Sequence, residues 1–100
     1  MSAWILWTSV MRMGYPEIGP SWRTKPDIYD SKEACQMAMT TAVAQYVEGL
    51  KNRRDIVEIM TVTDGYVKYV INDTTHPSGK RIVVARWNFY PAGFNPNAPH

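Results

Sequence analysis

The chain has 100 residues, of which 45% are hydrophobic and 20% charged, which suits one globular domain and excludes two independent cores or extended disorder. The net charge of +2 is a mild basic bias, short of the strongly basic, clustered composition of a dedicated nucleic-acid binder. One cysteine excludes an intramolecular disulfide, and no secretory signal or apolar run long enough to span a bilayer is visible. We therefore expect a soluble, cytoplasmic protein.

The N-terminal third contains one predicted strand and one predicted loop. Residues 3–12 are rich in β-branched and aromatic types, which predicts a strand. Its apolar residues fall on both faces, so we expect cover on both sides. Residues 13–29 contain two glycines and three prolines, and this density of breakers predicts a long loop that packs down onto the domain.

A single amphipathic helix is predicted over residues 31–51. Asp30 is the expected N-cap, with Glu33 closing a capping box. The apolar residues then recur at three- and four-residue steps, typical of one buried helix face. They are Cys35, Ala38, Met39, Ala42, Val43, Tyr46 and Leu50.

Two strands, 55–63 and 66–72, are predicted to form a hairpin around Asp64-Gly65, the dipeptide typical of a type I′ turn. This turn pairs Thr63 with Tyr66, Val62 with Val67 and Met60 with Tyr69. One face then carries Ile56, Met60, Val62, Val67, Tyr69 and Ile71, and we expect that face to meet the core.

The C-terminal part is predicted as a turn-rich loop over 72–80, a strand over 81–90 and a Pro/Asn-rich tail over 91–100. Val83, Ala85, Trp87 and Phe89 of the strand are expected to point inward. The fold class is therefore α+β, ordered β-α-β-β-β, with one helix on a four-stranded, mainly antiparallel sheet. Residues 1–90 form the single domain.

Residue types that carry chemistry are few. Cys35 lies within the apolar helix stripe, where a small buried residue is the expectation. His76 and His100 are too few for a zinc site, and Ser78-Gly79-Lys80 lacks the rest of a phosphate loop. We predict no catalytic residue, no metal and no cofactor, and hence a protein that is not an enzyme.

Three functions remain open. The first is a non-enzymatic interaction domain, either a homodimer or a small subunit of a larger assembly, because one helix cannot cover both faces of the sheet. Its candidate interface residues are Trp4, Trp7, Trp22 and Phe94. The second is a nucleic-acid-binding module whose basic-aromatic sheet face contains Tyr66, Lys68, Arg81 and Arg86. The third is a small ligand-binding protein or enzyme with a site under loop 13–29.

Two stretches, 29–35 (YDSKEAC) and 69–80 (YVINDTTHPSGK), resemble a group of short uncharacterised bacterial proteins. That group has an aromatic N-terminal strand, a helix opening with an F-D-S-x-x-A-C type sequence and a later C-L-P-D-T-x-D-P-x-G type turn. The resemblance implies no known activity. In that group the later cysteine is expected to pair with the helix cysteine; here Val70 holds its place, so such a bridge is absent.

Overall fold

A computed structural model describes residues 3–13 and 22–97, and these form one helix packed on one sheet. The elements are β1 (Trp4–Arg12), β2 (Arg23–Tyr29), α1 (Lys32–Lys51), β3 (Ile56–Thr63), β4 (Tyr66–Asn72) and β5 (Lys80–Pro91). The sheet is antiparallel throughout, in the order β2-β1-β5-β4-β3. The α+β class is confirmed, but the sheet has five strands where the sequence predicted four.

The additional strand is β2, which lies within the predicted loop. It pairs with β1 along one edge of the sheet, from Trp4 opposite Tyr29 to Thr8 opposite Arg23. Between Ile28 and Thr24 the register shifts, so β2 bulges around Pro26. Proline lacks the N–H that a central strand needs, but an edge strand with a bulge accommodates it. The prediction of a loop was wrong for residues 23–29 because it read Pro26 as a terminator. Most of the remaining loop, residues 14–21, lies outside the described residues.

The helix forms where the apolar stripe predicts it, although its cap differs. Ser31 is the N-cap, and its Oγ accepts a hydrogen bond from the Ala34 N–H at 3.0 Å. Asp30 therefore lies outside the helix and the predicted capping box is absent. Glu33 still lies in the first turn, where its negative charge interacts favourably with the positive end of the helix dipole. On the stripe, Cys35 is fully buried.

The hairpin forms at Asp64-Gly65, with Thr63 opposite Tyr66 and Val62 opposite Val67 as predicted. The type I′ prediction was wrong. That turn needs a positive φ at both central residues, whereas Gly65 has φ of +79° and no described non-glycine residue, Asp64 included, has a positive φ.

Strand β3 carries two bulges, which change the predicted pairing and faces. Two residues of β3 oppose one of β4 at Val57 and again at Met60, so Ile59 lies opposite Tyr69 instead of Met60. Met60 and Val62 are 46% and 47% exposed, and the expectation that they meet the core was wrong. The sequence of β3 does not alternate strictly: the adjacent apolar pairs Ile56-Val57 and Ile59-Met60 coincide with the two bulges, and the assumption of a regular register missed them.

The core lies between α1 and one face of the three central strands. Val67, Tyr69 and Ile71 of β4 are buried there with Leu6 of β1, and β5 contributes Val83, Ala85 and Trp87, as its alternation predicted. Beneath the helix, the hydroxyls of Tyr46 and Tyr69 are 2.6 Å apart and hydrogen-bonded. Burial first, and that hydrogen bond second, raise the pKa of Tyr46 well above its ordinary value.

The C-terminal segment returns to the start of the chain. The Ala92 N–H donates to the carbonyl of Ala3, one residue before β1. Asn97 then hydrogen-bonds the backbone of Trp22 twice, its Oδ1 accepting from the N–H and its Nδ2 donating to the carbonyl, both at 2.8 Å. These contacts hold residues 92–97 beside the entry to β2. The predicted boundary between residues 90 and 91 stays a prediction.

Candidate interaction surface

The helix covers one face of the sheet, and within residues 3–13 and 22–97 no helix lies over the other face. Strand registers place every second side chain on this helix-free face. Its central members are Ile5, Trp7, Ser9 and Met11 of β1, Ile28 of β2, Tyr66, Lys68 and Val70 of β4, and Ile82, Val84, Arg86, Asn88 and Tyr90 of β5. Glu58 of β3, opposite Val70, adds a carboxylate at one edge.

Aliphatic and aromatic side chains dominate the helix-free face. Ile28 is 68% exposed, and Ile5, Trp7 and Tyr90 are half-buried. In the middle of the face, Val84 is buried. It pairs with Met11 of β1 on one side and with Lys68 of β4 on the other. An apolar sheet face of this kind is typical of an interface between proteins.

Three of the four residues predicted for a basic-aromatic face lie together on this surface. Tyr66 is directly opposite Arg86, whose guanidinium carbon lies 6.0 Å from the centre of the tyrosine ring. Lys68 lies on the same face, two residues along β4. The aromatic ring and two cations are therefore adjacent, which is the arrangement that the alternation of β4 predicted.

Arg81, the fourth predicted residue, is not part of this face. It lies opposite Ile71 of the core face and is only 8% exposed. Its Nε donates to Asp73 Oδ2 at 2.6 Å and its Nη1 to the carbonyl of Met13 at 2.9 Å. Hydrogen bonds from Thr75 first, and then from Arg81, hold the pKa of Asp73 far below its ordinary value. Arg81 thus joins β5, loop 73–79 and the end of β1, and its predicted position on the basic-aromatic face is wrong.

The four aromatic residues predicted for an interface do not form one surface. Trp4 belongs to the helix side, where its ring meets Phe89 edge-on with centroids 5.8 Å apart. Trp7 lies on the helix-free face, and Phe94 packs on Tyr90 of that face, with the two ring centroids 4.7 Å apart. Trp22 lies at the start of β2, with its backbone held by Asn97. Trp7 and Phe94 are therefore the two that border the helix-free face.

Buried polar atoms without partners lie along β1. Trp7 Nε1, Thr8 Oγ1 and Ser9 Oγ are shielded from solvent and make no hydrogen bond to any described residue. Trp7 and Ser9 point to the helix-free face, and Ser9 is 2% exposed. An unpaired buried polar group costs about 1–3 kcal/mol, so β1 carries a penalty in this chain alone.

Loop 73–79 forms one wall of a concavity of about 460 Å³ at the end of the helix-free face. Val70 and Ile82, a cross-strand pair, line it together with Met13. Four polar residues also line it: Arg81, which is held by Asp73 and Met13, and the three residues His76, Ser78 and Lys80. The sequence analysis treated these three only as turn residues, and their common position depends on the β4–β5 register.

Elsewhere in the described chain, side chains that could take part in chemistry are hydrogen-bonded or buried. Burial raises the pKa of the Cys35 thiol, which disfavours the reactive thiolate. Within residues 3–13 and 22–97, no cluster of three or more His, Cys, Asp or Glu residues is placed to hold a metal ion. No helix in this part of the chain is long and apolar enough to cross a membrane.

Comparisons with known proteins bring no relative: no family model, no curated protein and no solved structure matches the chain. The resemblance to short bacterial proteins stays a prediction. Val70 lies on the helix-free face, whereas Cys35 lies on the buried side of α1, so the sheet separates the two positions that the bridge would join.

Proposed function

We propose that this chain is a non-enzymatic interaction domain that forms a homodimer through its helix-free face. The observation that carries the proposal is the aliphatic and aromatic content of that face, opposite a face already covered by α1. Two copies packed face to face would give a helix–sheet–sheet–helix arrangement, in which each sheet covers the other.

The size of the face supports a second copy as the occupant. Five strands at about 4.8 Å spacing, with β1 extending about 30 Å, give a footprint of roughly 700 Å². Stable interfaces bury about 800 Å² of accessible surface per partner, and side-chain relief makes the accessible area larger than the flat footprint. The face therefore matches the size that a dimer of this small chain needs.

The sheet edges are poorer sites for association than the face. Edge strand β2 bulges around Pro26, and edge strand β3 bulges at Val57 and at Met60. Bulges twist an edge away and interrupt the row of free backbone groups that another strand would pair with. Association through the face leaves both edges as they are.

The non-enzymatic part of the proposal rests on how the candidate reactive groups are used. Cys35 is fully buried in the core. His76 Nδ1 is occupied by hydrogen bonds within its own turn, to the Oγ and N–H of Ser78.

The test is the oligomeric state, measured by light scattering and sedimentation velocity from low to high micromolar concentration. We expect a species of twice the 11.4 kDa chain mass. Ile28→Lys and Met11→Lys each place an unpaired charge on the helix-free face and should weaken the dimer by about tenfold or more. Met37→Lys is the matched control, because Met37 is 72% exposed on α1, close to the 68% of Ile28.

The outcomes separate the possible occupants. A monomer at all concentrations overturns the homodimer, as does equal weakening by Met37→Lys. If the monomer instead binds single-stranded oligonucleotides, the second candidate function takes its place.

That second candidate is a nucleic-acid-binding module, favoured by the Tyr66–Arg86 pair with Lys68 beside it. Aromatic rings stack on bases and cations neutralise phosphates, so binding should fall steeply as salt rises. Fluorescence anisotropy with single-stranded probes measures this, and Arg86→Gln should lower the affinity and the salt slope. No binding at low salt excludes the module.

A further inference from the structure

We propose that the concavity beside loop 73–79 binds a small apolar carboxylate, such as a medium-chain fatty acid. Its volume of about 460 Å³ lies in the range of small-molecule sites, which are mostly apolar with a few placed polar groups. Val70 and Ile82 of its lining belong to the helix-free face, so the ligand and the proposed dimer would compete for this end of the face, and the ligand is tested on the monomer at low protein concentration.

The apolar part of the site is built by three strand-end residues. Val70 and Ile82 lie directly opposite each other on β4 and β5 and form its floor. Met13 follows β1, and its N–H donates to the carbonyl of Ile82 at 2.8 Å, which keeps its backbone against β5. Methionine adapts its flexible side chain to irregular apolar ligands. This lining suits a hydrocarbon chain.

The hydrogen bonds of loop 73–79 assign the tautomer of His76. The backbone N–H of Ser78 donates to His76 Nδ1 at 3.2 Å, so Nδ1 is an acceptor and carries no proton in the neutral ring. The proton is then on Nε2, which makes Nε2–H a donor. With Nδ1 as acceptor, the hydroxyl of Ser78 donates to it over 2.8 Å, and Ser78 Oγ in turn accepts from the Lys80 N–H at 3.3 Å.

The charges around the concavity favour an anion. Two cationic residues, Lys80 and Arg81, and His76 are among its described lining residues, and no carboxylate is. The nearby carboxylate of Asp73 is already engaged by Thr75 and Arg81. Because donors and a cation border an apolar floor, the matching ligand has a hydrocarbon body and a negatively charged head.

The test uses the full chain with octanoate and, as the uncharged analogue, 1-octanol. Chemical-shift mapping should show the amides of Val70 and Ile82 moving on titration, and calorimetry should give tighter binding of octanoate than of octanol. Lys80→Gln should weaken octanoate about three- to fivefold, the range of a solvent-exposed ion pair, and leave octanol unchanged.

Two further variants make the result specific. Lys68→Gln removes the same charge from the same sheet face outside the concavity, and it should change octanoate affinity less than twofold. Val70→Phe fills the floor and should abolish binding of both probes, while the far-ultraviolet circular dichroism shows that the sheet is retained. Equal affinity for octanoate and octanol, or equal effects of the two lysine variants, overturns the carboxylate assignment. No movement of the Val70 and Ile82 amides overturns the site.

Discussion

Gly65 is the position at which the hairpin turn and the helix meet, so Gly65→Ala is a sharp test of the fold. Gly65 has φ of +79°, and a Cβ built there lies 2.9 Å from the backbone oxygen of Trp87 and 3.3 Å from the sulfur of Met39. The Trp87 N–H donates to the Gly65 carbonyl at 2.9 Å, which locks the two backbones together. The methionine end can move aside, but the Trp87 oxygen cannot move without shifting β5.

Two costs add up in this variant. Placing an L-residue in the left-handed region costs about 1–2 kcal/mol, and the loss of glycine's freedom in the unfolded chain offsets about 0.4–1 kcal/mol of that. Overpacking against a fixed backbone atom adds about 1–3 kcal/mol. We therefore expect Gly65→Ala to lower the free energy of unfolding by roughly 2–4 kcal/mol.

Gly79→Ala separates the two costs. Gly79 has a similar φ of +74°, but nothing lies within 4 Å of a Cβ built there. Its cost should be the backbone term alone, about 1 kcal/mol.

The assay is urea unfolding followed by circular dichroism, supported by thermal melts, in which 1 kcal/mol corresponds to about 4–8 °C for a domain of this size. If the two variants unfold with the same free energy, the close approach of the hairpin to Trp87 is refuted.

Two further predictions concern polar groups that the fold buries. Ser9→Ala removes a buried hydroxyl that has no hydrogen-bond partner among the described residues, so it should leave the thermal midpoint unchanged or raise it. Ser31→Ala removes the helix cap and should cost about 1 kcal/mol; equal losses in both variants would contradict the unpaired state of Ser9. Because the pKa of Asp73 is lowered in the fold, its stabilising contribution is present above its unfolded value of 3.8 and is lost as pH falls below it. Denaturant titrations between pH 5 and pH 2 follow the first part of that loss and should show a shallower decline for Asp73→Asn than for the wild type. Asp30→Asn, which removes an exposed carboxylate, is the control, and parallel curves would exclude this role.

The candidate surface was predictable from sequence only in part. Alternation along β4 placed Tyr66 and Lys68 on one face, and the same reasoning placed Arg86 beside them. Arg81 was misassigned against the alternation of β5, which places it on the same face as Val83; the ion pair with Asp73, which lets a cation be buried there, is not visible in that pattern. The concavity was missed since Met13 and loop 73–79 meet only when β1 pairs with β5.

Local physical chemistry in the sequence determined the helix and the hairpin. The stripe from Cys35 to Leu50 has one period, which suffices to make a helix with one buried face. Asp64-Gly65 reversed the chain between two alternating runs, since glycine at that corner accepts a positive φ.

Tertiary structure decided the rest, where the deciding partner is distant in sequence. Residues 23–29 became a strand because β1 offered a free edge, and Pro26 is tolerated there in a bulge. Val57 and Met60 became bulged residues through pairing with β4, and Arg81 became a buried link through Asp73 and Met13. Backbone pairing energy and burial belong to pairs of segments, so a pattern read along one segment does not contain them.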